Sequence, residues 1–228
     1  MNKNLTNKTS EIFLKRNEKI SKTFLNELAL INKHYTNTKN FNNYIFAIQK
    51  LFQLNYNPIL DEKAKYYLAG FLEGEASLSV GVKKNKTSKF KLYFDPEFNI
   101  TQSINGFANL YLALLIFKHG RIRFKSGSNA TFVFTIDNRQ VLESVVIPFY
   151  EKYIHSYGCN AKKKRTVLFK ELLIFFRQKS HLELKTMVNE IIPRWDQLRV
   201  QINQSNQTFK NKEEAIDYVK KAVLKTNK

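Results

Sequence analysis

The sequence predicts an α+β domain, and three observations carry that expectation. The hydrophobic period changes from helical to alternating after Ala76, returns to helical near Gly106, alternates again from Arg121 and is helical beyond Arg139. Gly and Pro are scarce, 7 and 4 in 228 residues, so the few breakers present mark boundaries. With 43% hydrophobic residues, the chain is long and apolar enough to bury a sizeable core.

From residue 10 to 33, Ile12, Phe13, Ile20, Phe24, Leu25 and Leu28 recur at helical spacing between lysines, which predicts a first helix. A second is predicted over 42–54, ended by Asn55-Tyr56-Asn57-Pro58, so that residues 1–57 form a helical N-terminal extension. Asp61 suits the N-cap of the next helix, which runs to the acids at 73 and 75. Short β-type runs follow at 76–83, 89–94 and 97–103, the first two separated by the basic turn Lys84-Asn85-Lys86-Thr87-Ser88. An amphipathic helix is expected over 106–118. Strands are expected at 121–125 and 130–136, joined by Ser126-Gly127-Ser128-Asn129, and helices at 139–153, 162–178 and 182–199. Residues 58–200 are thus the main domain. The polar stretch 201–208 leads to a basic C-terminal segment whose helix, 213–224, is expected to be loosely attached.

The balance of 38 Lys and Arg against 19 Asp and Glu, net +19, argues for a polyanionic partner, nucleic acid first. A membrane surface is the rival, yet no apolar run approaches the roughly 18 residues of a spanning helix. The first residues are also too polar for a secretory signal. A single cysteine, Cys159, excludes an internal disulfide framework and a multi-cysteine zinc site. His34, His119, His155 and His181 lack metal-ligand spacing. Glu183-Leu184-Lys185 imitates a nuclease E-x-K but falls in a helical pattern without a Pro-Asp partner. The abundance of Lys, Asn, Ile, Phe and Tyr is what an AT-rich coding sequence produces, and points to an organellar or similarly AT-rich genome.

The densest chemistry lies in Leu68-Ala69-Gly70-Phe71-Leu72-Glu73-Gly74-Glu75-Ala76, two glycines and two acids at one helix end. Glycine costs up to about 1 kcal/mol relative to alanine inside a helix, so Gly70 and Gly74, on one face, imply close approach of another backbone. Glu73 and Glu75 are two residues apart, face nearly opposite ways and cannot easily share one ion. Were the same helix of a second chain to pack on the glycines, a two-fold axis would bring Glu75 of each chain together. With the nearby C-terminal carbonyls, these acids would make a hard oxygen site suited to Mg²⁺ and to metal-assisted phosphodiester hydrolysis. The spacing alone is equally compatible with an ordinary glycine pair beside exposed acids, since G-x-x-x-G recurs by chance.

Residues 68–76 resemble the LAGLIDADG motif of intron- and intein-encoded homing endonucleases, and the elements that follow resemble that family's α-β-β-α-β-β-α core. The stretches 68–78, Asp95-Pro96-Glu97-Phe98-Asn99-Ile100-Thr101-Gln102, Gly120-Arg121-Ile122-Arg123, 125–130 and 135–140 are similar to the branch encoded by group I introns in the chloroplast large-subunit ribosomal RNA gene of green algae. The resemblance runs from about residue 10 to the last helix and implies the family's saddle-shaped antiparallel sheet with helical extensions at both ends. It implies that Glu75 is the metal-binding acid, that the Gly74 carbonyl is a further ligand, that Mg²⁺ or Mn²⁺ is the cofactor, and that Gln102 helps place a water. A basic residue before the helix at 165 would stabilise the phosphate charge; Lys162, Lys163 and Lys164 compete for that role, with Lys162 preferred. Some relatives carry an arginine where Gly106 stands, so the basic complement is supplied elsewhere, and Glu73 becomes a structural acid. One motif implies a homodimer, with Leu68, Ala69, Gly70 and Gly74 at its interface; the exposed helix would otherwise leave apolar surface unburied.

Double-stranded DNA is the partner expected on the sheet. Ser77, Ser79 and Gly81, with Lys89 and Lys91, share one face of the first strand pair, and Arg121, Arg123 and Lys125 belong to the second. Leu78, Val80, Leu92, Ile122 and Phe124 point the other way, onto helices. Such a ribbon can lie in the major groove, although a solvated face is the alternative for any one strand. Lys83, Lys84 and Lys86 are the expected phosphate contacts, and Gln102, Arg121 and Arg123 the expected base contacts. Ser126, Ser128 and Asn129 of the second turn complete the surface. The implied function is a homodimeric, metal-dependent double-strand break in a long pseudo-palindromic target, an intronless large-subunit ribosomal RNA gene, that promotes intron transfer. The compartment would be chloroplast or mitochondrion, chloroplast preferred. The rivals are a maturase that binds intron RNA to assist splicing, and a non-catalytic dimeric DNA-binding protein.

Overall fold

The computed structural model describes residues 12–15, 18–35, 41–199 and 208–226. The start of the first expected helix and the polar stretch 201–207 lie outside them. Two units divide the chain: 1–76 with 100–136, and 77–99 with 137–228.

In the first unit, α1 spans Lys22–His34 and starts where Ser21 Oγ accepts from the Phe24 N–H at 3.2 Å. The helix expected over 10–33 is therefore half as long. Ahead of it the backbone bonds to other parts of the unit: Leu14 exchanges two 2.9 Å hydrogen bonds with the Asn105 side chain, and Ile20 N–H donates to Asn129 O at 3.0 Å. These partners satisfy groups that a helix would otherwise occupy. Next, α2, Phe41–Leu51, buries Phe41, Tyr44, Ile48 and Leu51 at helical spacing. The motif helix α3, Glu62–Glu75, is capped by Asp61, whose Oδ1 accepts from Ala64 N–H at 2.9 Å. Helix α4, Phe107–Phe117, is not amphipathic as expected: Phe107, Leu110 to Leu114 and Phe117 are all buried, around most of its circumference. Phe24, Phe52, Phe107 and Phe132 form an aromatic cluster, with Phe52 edge-on to Phe24 at 4.9 Å and to Phe132 at 5.0 Å.

The strands are β1 (Ala76–Lys84), β2 (Leu92–Ser103), β3 (Arg121–Phe124) and β4 (Thr131–Ile136), in the sheet order β1-β2-β4-β3. The two short runs expected at 89–94 and 97–103 are one strand. Alternate burial passes through Asp95 and Pro96 without a break, so this Asp-Pro pair does not punctuate. Residues 89–91 belong instead to a closed turn, in which Asn85 N–H donates to Lys91 O at 2.8 Å and Lys91 sits at φ 57°. Strands β3 and β4 pair antiparallel, Ile122 opposite Phe134 and Arg123 opposite Val133.

In the second unit the helical run 139–154, here α5, starts where Asn138 Oδ1 accepts from Val141 N–H at 3.1 Å. It contains wide turns at Leu142–Val146 and Tyr150–Ile154 around Ile147–Phe149, which accommodates Pro148 without a break. Helix α6, Asn160–Arg177, buries Phe169, Leu172, Leu173 and Phe176. The run 184–198, α7, ends in Ile192–Leu198 with Trp195 buried.

The last helix, α8, Lys212–Thr226, is attached firmly, against expectation. Phe209, Ala215 and Val219 are 2%, 1% and 0% exposed, and the Lys84 ammonium lies 5.3 Å and 5.2 Å from the Phe209 and Tyr218 ring centres. Its apolar stripe, diluted by lysines in the sequence, is enough to dock it.

Both edge strands are closed by side chains. On β1 the carbonyls of Leu78, Val80 and Val82 accept from Arg165 Nη1 (3.1 Å), Trp195 Nε1 (3.0 Å) and Thr208 Oγ1 (2.7 Å). On β3, Ile122 N–H donates to Tyr44 Oη at 2.7 Å, Asn32 Nδ2 donates to Ile122 O at 2.9 Å, and Tyr44 Oη donates to Asn32 Oδ1 at 3.0 Å. Unpaired edge groups invite other strands, and these five groups are occupied. Burial of Tyr44 pushes its phenol well above the usual tyrosine range.

Candidate active site and nucleic-acid surface

Helix α3 turns Leu68, Ala69 and Leu72 into the chain's own core and leaves Gly70 and Gly74 exposed, with nothing within 4 Å of where either Cβ would be. Tyr66 and Tyr67 are also exposed. The expected interface thus divides. Gly70 and Gly74 are open for close approach, whereas Leu68 and Ala69, 0% and 4% exposed, have no surface left for a partner. They belong to the intramolecular face because the helix has one apolar stripe and the glycines lie outside it.

Glu75 is the last residue of α3 and exposed, while Glu73 is half-buried. Ala76 N–H caps the carbonyl of Leu72, which leaves the Gly74 carbonyl in the final turn, at the negative end of the helix, beside the carboxylate of Glu75. A carboxylate and a peptide carbonyl are hard donors that fit a small dication, but only as part of its shell. Among the described residues, no group of three or more His, Cys, Asp or Glu could hold a metal ion. The remaining ligands would have to be water, a phosphate or a second copy.

Gln102 lies near the end of β2, half-buried, with its Oε1 accepting from Ser103 N–H at 2.8 Å. Glu75, Gly74 and Gln102 belong to the first unit and Lys162 to the second. Lys162 and Lys163 are half-buried on the first turn of α6 and Lys164 is exposed. Arg165, the next basic residue, is committed to the β1 edge.

On the sheet, alternation holds as expected: Ser77 and Gly81 are exposed and Ser79 half-buried, between the buried Ala76, Leu78, Val80 and Val82. Arg123 is exposed, with Nη2 donating to Thr135 Oγ1 at 3.0 Å, and Arg121 is half-buried. Lys125, Ser126 and Asn129 are exposed in the second turn and Lys86 and Lys89 in the first.

Four other expected contacts have partners within the chain. Lys83 Nζ pairs with Asp95 Oδ2 at 2.7 Å, a hydrogen bond that raises the lysine's pKa. Lys84 lies over Phe209 and Tyr218, and Lys91 Nζ donates to Lys86 O at 2.8 Å. Ser128 Oγ donates to Lys125 O at 2.7 Å and accepts from Thr131 N–H at 3.2 Å, closing its turn. Each of these groups thus already has a partner within the chain, although a lysine ammonium with one partner keeps further donor hydrogens. Arg165, Thr208, Asn32 and Tyr44, which hold the sheet edges, carry no signal in the local sequence. Their partners lie 87, 126, 90 and 78 residues away.

Comparison with known proteins agrees with this fold. The LAGLIDADG endonuclease family model matches residues 68–173. The DNA endonuclease I-CeuI of Chlamydomonas moewusii is 52% identical over 211 residues, 92% of this chain and 96% of that protein. The structure of I-CeuI, a group I intron-encoded homing endonuclease complexed with DNA, matches with a TM-score of 0.87 at 51% identity, covering 91% of this chain and 100% of that one. An archaeal intron-encoded homing endonuclease complexed with DNA matches with a TM-score of 0.63 at 25% identity, covering 72% of this chain and 99% of that one. The homing endonuclease I-ApeII of Aeropyrum pernix is 28% identical over 108 residues, 47% of this chain and 61% of that protein. On this similarity, the chain belongs to the LAGLIDADG endonuclease family.

Proposed function

We propose that the protein is a site-specific homing endonuclease that makes a metal-dependent double-strand break in a long pseudo-palindromic DNA, an intronless large-subunit ribosomal RNA gene, and so promotes intron transfer in an organelle, the chloroplast. The observation that carries this reading is the motif helix itself: it keeps an acid exposed at its C-terminal end while its glycine face stays open, in a chain 52% identical to a DNA endonuclease along nearly all its length. In this reading residues 58–200 are the endonuclease core, 1–57 an N-terminal extension that includes α1 and α2, and 201–228 a basic C-terminal segment.

Two copies meet through the Gly70 and Gly74 faces, and each contributes one Glu75 carboxylate and one Gly74 carbonyl to the hydrolytic centre. Bound there, Mg²⁺ or Mn²⁺ would supply charge neutralisation and an acidified water. Gln102 orients a water through its amide, Lys162 stabilises charge on the phosphate, and the outward side chains of β1 to β4 read the groove. The exposed Lys86, Lys89, Lys125 and Arg123 meet DNA first.

The experiment is incubation of the purified protein with an intronless large-subunit ribosomal RNA gene and Mg²⁺. Wild type is expected to cut both strands, and Glu75→Gln to bind normally but not cut. Binding without cleavage by wild type would favour a non-catalytic DNA-binding protein. Cleavage by Glu75→Gln would remove the metal assignment.

A further inference from the structure

Gly106 touches no expected ligand, yet it shapes the residue proposed to place the water. A Cβ built on Gly106 would lie 2.7 Å from Gln102 Cδ, 2.8 Å from Cγ and 3.1 Å from Nε2. No side chain heavier than hydrogen fits at 106 while Gln102 keeps this conformation. Two restraints therefore act on the glutamine. Its Oε1 is turned to the Ser103 N–H at 2.8 Å, and its stem lies across the Gly106 backbone. The Ser103 N–H engages one lone pair of Oε1, and the two Nε2 hydrogens are the donors that the amide offers to a water or a phosphate oxygen.

The backbone of Gly106 gives no other reason for glycine. Its φ of −107° and ψ of 16° are open to any L residue, unlike Gly120 at φ 92°. The atoms that a methyl group would strike belong to the end of one flexible side chain, so the fold can absorb the methyl and Gln102 would be the part that moves.

We propose that Gly106 is a positioning residue for catalysis: it leaves the space in which Gln102 is laid down and held with its amide nitrogen free for the reaction. This rests on the reading of Gln102 given above. With a bulkier residue at 106 the glutamine could not keep this conformation, so the residues at 102 and 106 act as a pair.

The test is a double-mutant cycle on single-turnover cleavage with Gly106→Ala, Gln102→Ala and both together, alongside DNA affinity, melting temperature and the NMR signals of the Gln102 side-chain amide. Gly106→Ala is expected to slow cleavage about 100-fold, as a misplacement near 1 Å does. Affinity should stay within about twofold, and the Gln102 amide signals should shift. Gly106 also precedes α4, so any small loss in melting temperature would be common to both backgrounds. In the Gln102→Ala background the added methyl should cost nothing further. A wild-type rate for Gly106→Ala, or an equal loss in both backgrounds, overturns the proposal while Gln102 keeps its role. A wild-type rate for Gln102→Ala removes that role as well.

Discussion

Trp195→Phe is the sharpest test of how the β1 edge is held. Trp195 is 5% exposed, and its indole N–H donates to Val80 O at 3.0 Å, the central one of three capped carbonyls on the β1 edge. Phenylalanine keeps an aromatic ring but removes the donor and part of the ring volume. Leaving a buried carbonyl without a partner costs about 1–3 kcal/mol. The lost ring atoms add about 1 kcal/mol, since the site is packed. The Arg199 guanidinium, 4.5 Å from the Trp195 ring, also loses its best partner. A destabilisation of about 2–4 kcal/mol follows. Trp195 is the chain's only tryptophan, so unfolding in urea should be followed by far-ultraviolet circular dichroism rather than fluorescence. Thr208→Val serves as the companion: it removes the donor to Val82 O at a half-buried position with little change of volume, and should cost about 1 kcal/mol. If Trp195→Phe stayed within about 0.5 kcal/mol of wild type, the indole hydrogen bond would not be holding the edge.

Further outcomes can be measured at Tyr44 and on the basic surface. Tyr44→Phe removes the hydroxyl that accepts from Ile122 N–H and donates to Asn32, and should cost about 1–3 kcal/mol near neutral pH. Because burial raises the Tyr44 pKa, the unfolded phenol loses its proton first. Stability is then complete below about pH 10 and declines above it, and Tyr44→Phe should flatten that alkaline decline in a pH series of urea melts. On the DNA side, Arg123→Ala should lose about 1–3 kcal/mol of binding and relax preference at one base pair, whereas Lys86→Ala should weaken all sequences alike and reduce the salt slope by about one unit. Titration against target variants at two salt concentrations separates them.

Much of the fold is legible in the amino-acid order. The period change after Ala76 places β1 within a residue of its observed end, and alternation puts Ser77 outside and Leu78 inside. Asp61 caps the helix it is expected to cap. The misreadings share a cause. Ile12, Phe13 and Ile20 have helical spacing, but the backbone of Leu14 bonds to Asn105 and that of Ile20 to Asn129, so competing partners outweigh local preference. The Asp95-Pro96 pair reads as a break, yet the strand runs through it with its faces in register. Lys83 and Lys84 read as phosphate contacts from the sequence, and the fold sets Asp95, Phe209 and Tyr218 beside them.

The sequence by itself determined the order of elements, the inside and outside of each strand, the motif helix with its terminal acid, and the basic character of the chain. These depend on periodicity, capping and composition, all of which act over a few residues. The tertiary structure decided which motif residues remain open, Gly70 and Gly74 rather than Leu68 and Ala69, and which basic side chains are already engaged. It also decided that Arg165, Trp195 and Thr208 close one sheet edge, that Asn32 and Tyr44 close the other, and that Gln102 lies across Gly106. The edge contacts join residues about 80 to 130 positions apart, and the Gln102 conformation depends on a clearance between atoms. Packing alone sets such relations, because the chain must fold back on itself before the groups involved meet.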